Sequence, residues 1–104
     1  MQPKRRRKTA LAALALLAAV AAGCGPAMYT SSVRGAEQEL QRARDENARW
    51  YAPYEYYYAE AHLRQAQEEA AEASYEDAIR YAKTARDFGT RALVITQRRR
   101  QAEQ

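Results

Sequence analysis

Thirteen uncharged residues, Ala10 to Ala22, follow the basic block Lys4-Arg5-Arg6-Arg7-Lys8 and end abruptly at Gly23-Cys24-Gly25-Pro26. No other feature constrains the chain as strongly. A positive segment, a short apolar segment and small residues at a cut site are the three parts of a secretory signal. As a helix the apolar segment rises about 20 Å, short of the roughly 30 Å of hydrocarbon that a spanning segment must cross. A permanent transmembrane helix is therefore the weaker reading. The charge block and the Gly-Cys-Gly-Pro ending also argue against an ordinary Ala-rich helix of a soluble protein. Residues 1–23 are thus expected to be a leader.

Val20-Ala21-Ala22-Gly23-Cys24 also resembles the lipobox of a bacterial lipoprotein, with Ala21 where Leu is usual. The resemblance implies cleavage between Gly23 and Cys24, a diacylglycerol thioether on Cys24 and an N-acyl chain on its new amino group. The chemistry agrees, since a thiolate is the strongest nucleophile in the segment and a lone cysteine in an exported chain has no intramolecular disulfide partner. Several acyl chains at about 0.8 kcal/mol per buried methylene make a stable anchor. Gly25 rather than Asp follows the cysteine. By the same resemblance this implies the outer membrane, with the protein facing the periplasm.

Removal of the leader changes the charge argument. The whole chain carries +4, but only twelve basic residues remain after Gly23, against thirteen acidic ones. A nucleic-acid partner loses its electrostatic basis at that balance. The 81 residues that remain hold few large aliphatics, sixteen Ala, eight Tyr, three Gly and two Pro. Such a chain has material for one small domain with a thin core, supplemented by tyrosine rings, and its composition favours helix.

The fold class expected is all-α: a signal helix, a flexible tether, then two to three antiparallel helices forming a hairpin with a preceding helix. Gly25 to Ser32 has neither charge nor periodicity, so residues 24–34 are read as the lipidated cysteine and tether. Residues 35–104 form the helical domain, with helices expected over about 35–51, 53–73 and 75–100. The first carries Val33, Ala36, Leu40, Ala43, Asn47 and Trp50 at alternating spacings of three and four, an apolar stripe interrupted by Asn47. Pro53 starts the second helix or kinks one long one; Tyr56, Ala59, Leu63, Ala66, Ala70 and Ala73 continue the spacing. Ser74-Tyr75-Glu76-Asp77 has a capping-box pattern, and Ala78, Tyr81, Ala85, Phe88, Ala92 and Ile95 follow it.

Trp50-Tyr51-Ala52-Pro53, Ala59-x-x-x-Leu63-x-x-Ala66 and Tyr75-Glu76-Asp77-Ala78-Ile79-x-x-Ala82-x-x-Ala85 together resemble the bacterial domain of unknown function 4398. The likeness covers roughly residues 36 to 95. It implies a small, lipidated envelope protein and, as partner, an OmpA-like or other envelope protein. The Tyr75, Ala78 and Ala85 positions are also similar to the second helix of a tetratricopeptide repeat. His62 and Glu69 depart from that repeat, and only one unit is present where stacked arrays need about three.

No catalytic constellation is evident, and the expectation is a non-enzymatic protein. His62 is the sole histidine and is read as a surface helix residue; a metal or catalytic centre on it ranks last. Four tyrosines crowd the stretch Tyr54-Glu55-Tyr56-Tyr57-Tyr58. At about 100° per residue they cannot all face one core. Tyr54, Tyr56, Tyr57 and Tyr58, with Trp50, are candidates for contact with a partner protein or glycan; the competing reading packs two of the tyrosines inward and leaves the others half-exposed. Arg98-Arg99-Arg100 complements the dipole of the last helix, and a solvated terminus is favoured there over contact with anionic headgroups or peptidoglycan carboxylates. The heptad-like stripes also permit a homo-oligomer acting as a periplasmic spacer.

Overall fold

The computed structural model describes residues 3–104, without the side chains of residues 20–23. The chain is all-α, as its composition leads one to expect: α1 (Pro3–Asp45), α2 (Ala48–Tyr51), α3 (Pro53–Ala71) and α4 (Tyr75–Ala102).

Residues 24–34, expected to be a flexible tether, are instead a continuous part of α1. The reason is tertiary. Tyr29 and Val33 join a cluster with Ala66 and Ala82, so burial on one side holds helical a stretch whose local preferences are weak. Pro26 lies inside the helix, and Thr30 Oγ1 donates to its carbonyl at 2.9 Å.

The helix expected over 35–51 is divided. Asn47 adopts the left-handed conformation, φ 69° and ψ 38°, which Asn tolerates better than most residues, and its amide donates to the Arg44 carbonyl. A single turn, α2, follows. Ala52 then leaves helical geometry at φ −141°, and Pro53 opens α3 at a position where a missing amide costs nothing. Pro53 therefore starts a helix and does not kink one.

The α3–α4 turn is tight, as the spacing predicts, but its chemistry differs. Ser74 precedes α4 without a side-chain capping bond, so the capping box does not form. Ala73 at φ 61° makes the turn instead. Ser74 N donates to Glu69 O at 2.9 Å and Ala73 N to Ala70 O at 3.0 Å, the paired bonds of a Schellman motif.

Helix α4 is the centre of the bundle, packing along both α3 and the second half of α1. Its buried line is Ala78, Ala82, Ala85, Gly89, Ala92 and Thr96, all small, at spacings of four and three. Small side chains let both neighbours approach closely. A Cβ on Gly89 would meet Glu39 Cβ at 3.2 Å and the α1 backbone at 3.5 Å. Facing this line are Val33, Ala36, Leu40 and Ala43 of α1, with Ala52, Tyr56, Ala59 and Ala66 from α3 and the residue before it. Leu63, Phe88, Leu93 and Ile95 close the sides.

The register fixes direction. Gly25 lies against Tyr75, Gly35 against Arg86, Gly89 against Glu39 and Leu40, and Glu46 pairs with Arg100. Residue numbers rise together, so α1 and α4 run parallel. Tyr58 meets Phe88 while His62 meets Tyr81, so α3 is antiparallel to α4.

Candidate functional site

Two regions merit attention, one at each end of the bundle. At the first, every described side chain from Pro3 to Ala19 is exposed, including Leu11, Leu14, Leu16 and Leu17. Among the described residues, nothing in the rest of the fold buries this apolar stretch. By length and composition α1 is apolar enough to cross a membrane, and an N-terminal signal sequence or a membrane anchor has this character. Cys24 is exposed. The next residue, Gly25, already packs: a Cβ there would touch the Tyr75 side chain at 3.4 Å. Tyr29 and Tyr75 complete this end with ring centroids 6.1 Å apart. Burial, then the negative charge of Glu37 and the Tyr75 phenol, raise the Tyr29 pKa above its usual value. Gly23, on the other side of the expected cut, lies outside the described side chains.

At the opposite end the aromatic residues divide. Trp50 is 75% exposed, Tyr54 67% and Tyr57 52%. Tyr58 is half-buried, packed on Phe88 with centroids 4.2 Å apart and against Tyr54 at 5.8 Å. Tyr56 must be withdrawn from the contact surface, because it is fully buried at the heart of the core. Its hydroxyl accepts from Arg44 Nε at 2.9 Å, and the Arg49 guanidinium lies 5.5 Å from its ring centre. That polar cover is what lets a phenol occupy the core, since a buried hydroxyl without a partner is costly. Spacing alone places Tyr56 on the inner stripe of α3; the arginines above it carried no comparable signal.

His62 also differs from expectation. It is half-buried, stacked on Tyr58 with centroids 4.1 Å apart and flanked by Tyr81 at 5.9 Å, and its Nδ1 lies 2.9 Å from the Tyr58 carbonyl. Its role here is packing between α3 and α4. Among the described residues no group of three His, Cys, Asp or Glu side chains is arranged to hold a metal ion.

Two of the three terminal arginines are engaged within the fold. Arg99 donates to the Tyr51 carbonyl and Arg100 pairs with Glu46, while the Tyr51 hydroxyl donates to Glu103 at 2.7 Å. Together these contacts clasp α2 to the end of α4. The hydrogen bond to Glu103, then loss of hydration and the Glu103 charge, raise the Tyr51 pKa. The pairing of Tyr51 with Glu103 carried no signal in the sequence, because the two are 52 residues apart and only the bundle joins them.

No protein-family model, curated protein or solved structure matches the chain.

Proposed function

We propose that the chain is a non-catalytic, lipid-anchored protein of the bacterial outer membrane, cleaved before Cys24, acylated there and working by contact with another envelope protein. An OmpA-like partner is the one that the family resemblance implies. The observation that carries the reading is that the expected cut lies between an exposed apolar stretch and the packed bundle. Side chains from Pro3 to Ala19 are exposed, and Gly25, the residue after Cys24, lies against Tyr75.

Pro26 supports the same reading. Within the uncut helix its missing amide and its ring cost about 3 kcal/mol. Cleavage before Cys24 puts Pro26 in the first turn of the remaining helix, where an unpaired amide is normal and the cost disappears. A permanently retained leader helix keeps that penalty.

The test is intact mass and membrane fractionation of the expressed protein beside Cys24→Ser. The expected wild-type product begins at Cys24, carries acyl mass and sediments with outer membranes, whereas the variant does none of these. An unmodified soluble wild-type product sinks the proposal.

The exposed Trp50, Tyr54 and Tyr57 support a contact role. Replacing these three with Ser should abolish capture of a crosslinked envelope partner while helicity is retained. The same face supports a second reading, a homo-oligomeric spacer, for which melting of residues 25–104 should rise with protein concentration. A melting temperature independent of concentration excludes it.

A further inference from the structure

We infer that the bundle stands on the membrane in one orientation, with the Tyr29–Tyr75 end against the lipid surface and the Trp50 end directed away from it. The inference rests on the attachment proposed above and adds to it which surface of the fold the bilayer meets. No flexible segment separates anchor from body, because α1 runs without interruption through Cys24 into the packed bundle. Whatever holds Cys24 at the membrane therefore holds the end of the bundle that contains Gly25 and Tyr75.

The side chains at that end suit an interface. Met28 is 57% exposed, and Tyr29 and Tyr75 form a ring pair beside it. Amphipathic rings favour the headgroup level, where one edge meets apolar chains and the hydroxyl meets water. From Cys24 to Val33 no residue is charged. Glu68, Glu69, Glu72, Glu76 and Asp77 surround the α3–α4 turn at the same end. Asp77 pairs with Arg80, and the four glutamates keep the turn at the surface and out of the hydrocarbon, since burial of unpaired charge is strongly unfavourable. The partner surface that results is a zwitterionic lipid headgroup layer, because anionic lipid would repel the acidic rim.

Parallel α1 and α4 carry the opposite end away. From Gly25 to Asp45 the helix rises about 30 Å, and Trp50, Tyr54, Arg98 and the α2 clasp lie beyond or beside its far end. The exposed aromatic face is then presented outward, clear of the membrane that anchors it.

Trp50 is the sole tryptophan, so the chain carries its own depth probe. The acylated protein, purified in detergent, is reconstituted into phosphatidylcholine vesicles whose acyl chains are brominated, a short-range quencher of indole emission. Flotation reports attachment and fluorescence reports orientation. Trp50 emission should be unchanged by bromination and quenched by aqueous acrylamide. Moving the indole to the other end, as Trp50→Phe with Tyr75→Trp, should give loss of most of the emission in brominated vesicles. Trp50→Phe with Met28→Trp, at an exposed site, should lose it equally and guards against misfolding of the first variant. Floating protein whose Trp50 is quenched, or in which neither relocated indole is quenched, overturns the orientation alone. Protein that stays at the bottom of the gradient overturns attachment, and the orientation with it.

Discussion

Thr96 is fully buried, and its hydroxyl has no hydrogen-bond partner among the described residues. An unsatisfied buried hydroxyl costs about 1–3 kcal/mol, so Thr96→Val should stabilise the bundle by about 1 kcal/mol, seen as a melting temperature higher by roughly 4–8 °C. A second residue-scale outcome concerns Tyr51. Its raised pKa means that the folded state favours the protonated phenol, so the bond to Glu103 contributes fully below the ordinary tyrosine value of about 10 and is lost as pH rises through the higher folded value. Urea midpoints of wild type and Tyr51→Phe should therefore differ by a constant amount from neutral pH up to about pH 10 and converge above it.

Among elements, α4 controls the packing because its buried line contains no side chain larger than threonine. Gly89 is the narrowest point of that line. Replacement by Ala gains about 1 kcal/mol of helix propensity but brings a Cβ to 3.2 Å from Glu39 Cβ, so the two effects should nearly cancel. Gly89→Leu has no such offset and should destabilise by about 1–3 kcal/mol through overpacking, or more where α1 is displaced. Chemical denaturation of the two variants side by side checks the pair. Sequence periodicity marks α4 as amphipathic but assigns Tyr81, Phe88 and Ile95 to its central stripe. The structure puts those larger residues at half-buried flanking positions and the small ones at the centre. A stripe read from hydropathy passes over Gly89 and Thr96 because neither scores as apolar, although small size is what the close contact with α1 requires.

For the whole molecule, the bundle should fold without the N-terminal apolar stretch. Residues Pro3 to Ala19 are exposed throughout, so a Cys24→Ser chain beginning at residue 24 should lose no packing, and relief of the Pro26 penalty should make it more stable than the full-length chain in the same mild detergent, by up to about 3 kcal/mol. Calorimetry of the two checks this. The sequence by itself determined the all-α class, the apolar N-terminal stretch, a helix start or kink at Pro53 and the position of the α3–α4 turn, because propensity, proline geometry and three-four spacing are local properties. It did not determine whether Pro53 starts a helix or kinks one, that α1 continues through Gly25 and Pro26, that α1 lies parallel to α4, or that Arg44 and Arg49 cover the buried Tyr56 while Trp50 stays outside. Those outcomes were decided by tertiary structure. An amphipathic stripe states that a helix has a face to bury but not which neighbour will cover it, and that choice comes from contacts between residues about fifty positions apart, such as Gly25 with Tyr75 and Glu46 with Arg100.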